Sequence, residues 1–314
     1  MKVAYILTSS GTDFFFEQTI LSIYSLRQHN PNMDVVVIVD DKTAKTFNEK
    51  RNFYDFGIEP IVVTCPSDMT EKERSRYLKF ELRSILKGDI LYVDSDTIIT
   101  DKLEDLSRQD GDVFAVIDKH TTKITTPVLE KIKKSKLNFP ETFDYFNGGV
   151  WFTKDTPAAH KFFEDWKKLW LNYKTPTFCL DQPGLNYANI INKNIIKALD
   201  GTWNCQVFRN GLKYLASAKI IHYYAVNDIN NPYVISNDFW FAKIRNNDCR
   251  IPDEIKEMLN EPKKLFPDIS RIVFDENQIA VMDSFLFNYI SKHYEKCQRL
   301  FTFLNKVAYH ILKK

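Results

Sequence analysis

Asp94 and Asp96 close the stretch "DILYVDSD", in which five residues suited to a buried strand are followed at once by two carboxylates. Like charges this close repel, and taking them out of water adds to the cost. One hard divalent cation shared by both removes the repulsion, since such ions select oxygen ligands. A cation held there can also bridge the two phosphates of a nucleotide diphosphate. Surface turns produce such triplets too, and the chain carries its own control: Asp110-Gly111-Asp112 has the same letters, holds a turn glycine and precedes the strand-like "DVFAVI". That second triplet is expected to be a solvated turn.

The elements that must position the first pair can be read from alternating patterns. Short β-branched runs at 2–7, 34–39, 58–63 and 89–93 alternate with helix-length amphipathic stretches at 14–29, 43–56 and 70–86. This predicts an α/β fold of βαβ units with a mostly parallel sheet flanked by helices. Asp94 and Asp96 then lie past the carboxyl end of the fourth strand, where open α/β sheets bind ligands. Asp13 is placed to cap the first helix and Asn30-Pro31 to end it. Further on, 145–153 reads as a loop entering a strand, 157–173 as a helix, 181–191 as a short helix with Pro183 near its start, and 218–224 as a buried strand. Pro252, Pro262 and Pro267 set a soft boundary, giving a catalytic region 1–250, with a nucleotide half at 1–100 and an acceptor half at 101–250, and a helical region 251–314.

Composition narrows the classes. With 44% hydrophobic residues, the 314-residue chain can fill a sizeable core. A formal charge of only +2 argues against nucleic acid as the partner. Five cysteines without a CxxC pair argue against a disulfide framework or a structural zinc site and suit a reducing cytoplasm. The first residues are too short an apolar run for a secretory signal, and nowhere do about 18 apolar residues run together.

Two other phosphate-handling classes deserve comparison. Haloacid-dehalogenase-type phosphatases end a strand in hhhhDxDx[TV], and "LYVDSDTI" departs from this only at Ile98. Those enzymes carry the motif on their first strand as a rule and need a later GDxxxD or DD at another strand end, and no such motif follows residue 96 here. Nucleotidyltransferases begin with a Gly-rich basic loop, whereas "TSSGTD" at 8–13 holds one glycine and no Lys or Arg.

Four stretches in order, "RYLKFEL" before the acidic pair and "FNGGV", "DQPGLN" and "KIIHYY" after it, resemble the family 8 glycosyltransferases over roughly residues 2–225. That group contains glycogenin and bacterial lipopolysaccharide galactosyl- and glucosyltransferases. The resemblance implies a GT-A type nucleotide-diphospho-sugar fold, Mn²⁺, and retaining transfer of a hexose, glucose or galactose, from a UDP-sugar. It implies Asp94, Asp96 and His222 as metal ligands, and an O,O,N set suits Mn²⁺ better than Mg²⁺, the other ion to consider. Donor contacts carry over to Thr8, Ser9, Arg76, Asp94, Ser95, Asn147, Gly148 and Gly149, and the catalytic pair to Asp181 and Gln182. Each has a plainer structural counterpart: a rim histidine for His222, a solvated helix face for Arg76, a β-bulge for the glycines, a helix cap for Asp181. One departure stands out. Relatives read HxxGxxK where this chain reads "HYYAVND", so Ala225 and Asp228 replace the glycine and the diphosphate-gripping lysine. Either Lys219 or Lys243 takes over, or donor binding is weak, as in a catalytically silent sugar-nucleotide-binding relative.

From 285 to 314 apolar residues follow helical spacing and Lys292, Lys296, Arg299, Lys306 and Lys313 fall mostly on the other side. This helix either packs on the catalytic region or makes peripheral contact with the anionic inner membrane, where a lipid-linked acceptor would wait. The expectation is a cytoplasmic, metal-dependent glycosyltransferase of polysaccharide biosynthesis acting on a glycan, lipid-linked or glycoprotein acceptor.

Overall fold

The computed structural model describes residues 1–207, 209–223, 235–266 and 276–312. Ala225, Asp228, Pro267 and Lys313 lie outside them. Its strands are β1 (Lys2–Leu7), β2 (Asp34–Asp40), β3 (Ile61–Val63), β4 (Ile90–Val93), β5 (Thr97–Ile99), β6 (Val113–Ile117), β7 (Phe146–Thr153), β8 (Ile196–Ala198), β9 (Cys205–Gln206) and β10 (Ile220–His222). The helices are α1 (Phe15–His29), α2 (Asp41–Ala44), α3 (Glu71–Ile85), α4 (Thr126–Ser135), α5 (Pro157–Tyr173), α6 (Gln182–Ile191), α7 (Asp238–Asn246), α8 (Asp253–Asn260), α9 (Glu276–Met282), α10 (Phe285–Lys292) and α11 (Tyr294–Leu312).

The large sheet has the order β3-β2-β1-β4-β7-β6-β8. β3, β2, β1 and β4 are parallel, as the alternating pattern requires, and β7 enters antiparallel to both of its neighbours. The stretch expected to be a loop entering a strand is therefore strand from Phe146 onward, and all of β7 is buried. Its pairing with β6 shifts register between Ala115 and Ile117, opposite residues 147–150, so the ladder is irregular where the two glycines fall. Apolar side chains pack on both faces of the sheet. One face gathers Phe16, Ile20 and Leu26 of α1, and the other gathers Phe80 of α3 with Trp166 and Trp170 of α5.

The helix expected over 43–56 stops after one turn. Asp40 caps α2 through Thr43 N, at 2.9 Å. Beyond it, Asn48 Oδ1 accepts from Lys50 N and Arg51 N at 2.9 and 3.0 Å, and Asn52 Nδ2 donates to Asn48 O and Glu49 O. Such local side-chain bonds offer the backbone an alternative to helix, and two asparagines suffice here. By contrast, α3 begins at a full capping box in which Thr70 and Glu73 satisfy each other's backbone N–H.

A second, three-stranded sheet, β5-β10-β9, crosses the end of the first. β10 runs antiparallel to β5, with His222 opposite Thr97. α1 fixes this sheet through Ser25 Oγ, which accepts from Ile99 N at 2.9 Å, and through a 2.9 Å bond between Ser22 Oγ and Thr97 Oγ1.

The carboxyl-terminal amphipathic stretch is two helices, broken at His293 where φ is −121° and ψ is 29°. Ile290 is buried, but Leu300, Phe301, Leu304, Val307 and Ile311 of α11 stay exposed. No helix among the described residues is long and apolar enough to cross a membrane.

At the end of β6, Lys119 and His120 adopt left-handed φ of 54° and 51°, which turns the His120 ring into the interior. Its Nε2 accepts from Gln206 N at 3.3 Å, and the ring packs 4.7 Å from that of Tyr214. Burial holds its pKa down from 6.5 to about 4. The unfolded chain therefore takes up a proton between these values that the fold refuses. Stability is full above the unfolded pKa and falls by up to about 3 kcal/mol as pH drops through the window. In urea titrations from pH 7 to 4, His120→Gln should flatten that slope, and equal slopes in variant and wild type would show the ring charging freely.

Candidate active site

The chain leaves β4 at Val93 and enters β5 at Thr97, so residues 94–96 make the crossing between the two sheets. Asp94 N donates to Gly149 O of β7 at 2.7 Å, and Asp96 O accepts from Tyr223 N, just past β10, at 2.8 Å. Each end of the triplet is thus sewn to a different sheet. That places Asp94, Asp96 and His222 with one potential ligand atom each, all within 4.8 Å of one another. Among the described residues no other three His, Cys, Asp or Glu side chains converge in this way. Asp110 and Asp112 sit in a turn where Gly111 has a φ of 132°, away from this cluster.

His222 Nε2 lies 3.2 Å from Asp96 Oδ1. Burial opposes charge on both groups, yet their pairing prevails, raising the His222 pKa above its usual value and lowering that of Asp96. A Cβ on Gly149 would stand 2.3 Å from His222 Cε1 and 2.6 Å from Asp94 Oδ2. Only glycine leaves these two side chains room to converge. Two carboxylates and an imidazole converging beside a glycine fit a divalent cation.

Behind the cluster lies a residue that the sequence reading did not assign. Lys79 of α3 is 3% exposed. Its Nζ is 3.3 Å from both Asp94 Oδ1 and Asp181 Oδ2, donates to Gly148 O at 3.1 Å, and sits 4.8 Å over the Tyr92 ring. Arg76, one turn earlier on the same face, has Nε 3.2 Å from Asp181 Oδ1. Asp181 occupies the N-cap position of α6 without making a capping bond, because its carboxylate faces these two cations instead. Burial opposes its charge, but Lys79 and Arg76 together hold its pKa below the usual carboxylate value. Tyr92 Oη donates to Asp94 Oδ1. The spacing of Lys79 three residues after Arg76 was the available signal, since i and i+3 share a helix face.

Other assigned residues are placed as follows. Asp94, Ser95, Asp96, Arg76 and Thr8 line a cleft of about 610 Å³, with Phe14, Phe15 and Phe241 on its walls. Ser95 Oγ donates to Gln18 Oε1 at 3.0 Å. Ser9 is buried and engaged, donating to Asp13 Oδ1 at 2.8 Å and accepting from Arg51 Nη2 at 2.7 Å. Asn147, 1% exposed, lies beneath the cluster, while Gly148 borders Asp181. Gln182, first residue of α6, has a buried Nε2 with no hydrogen-bond partner. Neither lysine offered as a substitute cation lines the cleft: Lys219 pairs with Glu104, and Lys243 with Glu254 at 2.8 Å. Among the described residues the cleft-lining cations are Lys72 and Arg76.

A mostly parallel sheet with its acidic pair at a strand end, backed by a smaller sheet that delivers a histidine, defines a GT-A type sugar-transferase frame. The family profile "Glycosyl transferase family 8" matches residues 6–227, so the chain belongs to that family and is a glycosyltransferase. Similar solved structures include an active-site mutant of LgtC, at TM-score 0.53 and 16% identity over 82% of this chain and 99% of that one. LgtC as a galactosyltransferase in complex with donor and acceptor sugar analogs gives 0.52 and 15% over the same shares. The bifunctional glycosyltransferase WbbM, without ligand, gives 0.51 and 18%, and this chain spans 51% of its length. No curated protein matches in sequence. Membership in the family sets aside the phosphatase reading.

The Gly149 contacts yield a direct expectation. Gly149→Ala should abolish the rise in melting temperature on adding Mn²⁺ and cost the fold about 1–3 kcal/mol through overpacking. Gly148→Ala, whose Cβ would meet nothing closer than 3.7 Å, should keep that rise. Equal responses in a thermal-shift assay would refute the steric account.

Proposed function

We propose that this glycosyltransferase moves a hexose, glucose or galactose, from a UDP-sugar to a glycan, lipid-linked or glycoprotein acceptor with retention of configuration, using Mn²⁺ or, less well, Mg²⁺. The observation that carries the reading is the convergence of Asp94, Asp96 and His222, with both aspartates on the cleft wall. Asp94, Asp96 and His222 would hold a divalent cation, and that ion would supply positive charge to offset the charge on the leaving diphosphate.

The chain's own groups complete the arrangement. Thr8, Ser95 and the walls formed by Phe14 and Phe15 receive the nucleoside. Gly149 gives Asp94 and His222 the room to converge on the cation. Arg76 and Lys79 keep Asp181 anionic, so it can stabilise positive charge developing on the sugar ring or accept from a sugar hydroxyl. The unpartnered Nε2 of Gln182 has a hydrogen bond to give to the same sugar. With no separate base required, the departing phosphate takes the proton of the incoming hydroxyl on the same face. Lys72 and Arg76 are the cleft cations that stand nearest in kind to the absent loop lysine.

We read residues 1–250 as the catalytic region, and 251–314 as a helical region whose end meets the cytoplasmic face of an anionic membrane. Support for the latter is the exposed stripe Leu300, Leu304, Val307 and Ile311, flanked by Lys296, Arg299 and Lys306.

UDP with Mn²⁺ at about a hundred times its dissociation constant should stabilise the protein by about 2.7 kcal/mol. Asp96→Ala should lose the metal-dependent part, and slow hydrolysis of a UDP-hexose without acceptor should separate an active enzyme from a silent binder. No shift with UDP and Mn²⁺ would overturn the reading. In flotation assays the full chain should bind vesicles containing phosphatidylglycerol and not phosphatidylcholine alone. Equal binding to both would remove the electrostatic part of the membrane reading.

A further inference from the structure

Beneath the cluster runs a buried polar chain that begins at a carboxylate and ends on an imidazole. Asp118 Oδ1 accepts from Asn147 Nδ2 at 2.9 Å. Asn147 Oδ1 accepts from Gly149 N at 2.9 Å and from Asn204 Nδ2 at 3.0 Å. Asn204 Oδ1 meets His222 Nδ1 at 2.9 Å. Asp118, Asn147, Asn204 and His222 are between 0% and 3% exposed, so water does not substitute for any of these partners.

The direction of every bond in this chain is forced. A carboxylate oxygen only accepts, so the NH₂ of Asn147 must face Asp118. A backbone N–H only donates, so the amide oxygen of Asn147 must face Gly149. Asn204 can then approach that oxygen only with its own NH₂, which turns its oxygen to His222. With a cation between the ring and Asp96, the proton of a neutral His222 must therefore sit on Nδ1, leaving the Nε2 lone pair aimed at the metal space.

We propose that Asn204 is a positioning residue for the metal site: through Asn147 and Asp118 it sets the tautomer and the aim of His222. This rests on the metal reading given above and adds a residue to it that does not touch the cation. Partners of this kind commonly tune metal affinity by about 10- to 100-fold.

The test is Mn²⁺ affinity, measured by the loss of the free-ion signal in electron paramagnetic resonance, with no substrate present. Asn204→Ala and the volume-conserving Asn204→Leu should each weaken binding by about 10- to 100-fold. Asn204→Asp keeps the oxygen that accepts from His222 but sets an acceptor against Asn147 Oδ1. Recovery of most of the affinity in Asp marks a role in aiming His222, whereas a purely structural Asn204 would leave Asp as impaired as Ala. Wild type that takes up no Mn²⁺ defeats the metal reading itself, and variants that bind like wild type defeat only this inference. A second readout needs no variant: in the ¹⁵N-histidine spectrum of wild type saturated with diamagnetic Mg²⁺, His222 should carry its proton on Nδ1. A proton on Nε2 overturns the proposal.

Discussion

The structure depends on bringing two half-buried carboxylates and one buried imidazole to a single point on the wall of a cleft. Left alone, Asp94 and Asp96 would repel each other and resist burial, and a chain that placed them together without compensation would lose stability. Compensation comes from both sides. Lys79 stands behind Asp94, and His222 pairs with Asp96 at 3.2 Å. The crossing from β4 to β5 makes the pairing possible, because it hands one aspartate to each sheet while three residues of chain keep them adjacent.

The same lysine ties that point to the second functional element. Lys79 lies between Asp94 and Asp181, at 3.3 Å from each, so the position of Asp181 is referred electrostatically to the acidic pair. α3 thereby acts as a ruler beside the cleft: Lys79 behind the acidic pair, Arg76 a turn earlier on the cleft wall, and Lys72 a further turn away on the same wall. A helix is well suited to this task, since its fixed rise spaces side chains with little conformational freedom. Gly149 makes the complementary contribution by subtraction, keeping clear the volume in which Asp94 and His222 approach.

Much of this was legible before any coordinates. The alternation of β-branched runs and amphipathic stretches gave β1, β2, β4, α1 and α3, because burial on both sheet faces writes itself into residue order. The acidic pair was legible for the same reason, being carboxylates where a strand ends. What was not legible depended on local polarity or on contacts distant in sequence. Asn48 and Asn52 redirect backbone bonds that hydrophobic periodicity cannot register, so the stretch after α2 looked helical. The first half of β7 looked like a loop entering a strand because its glycines mask a strand buried throughout. Lys79 offered only its i+3 spacing from Arg76, on a helix that holds several basic residues, and Asn204 gains meaning only where β10 brings His222 beside it. Lys219 and Lys243 were credible substitutes on charge alone, and Glu104 and Glu254 occupy them.

The proposed metal centre requires that His222 and the aspartates of the crossing hold one cation together. Pulsed electron paramagnetic resonance on the Mn²⁺-loaded protein with UDP addresses it most directly, because a nitrogen bound to Mn²⁺ imprints its nuclear modulation on the echo. The account predicts modulation from a single imidazole that disappears in His222→Gln and persists in His120→Gln. A spectrum without nitrogen coupling, or one unchanged by loss of His222, would contradict it.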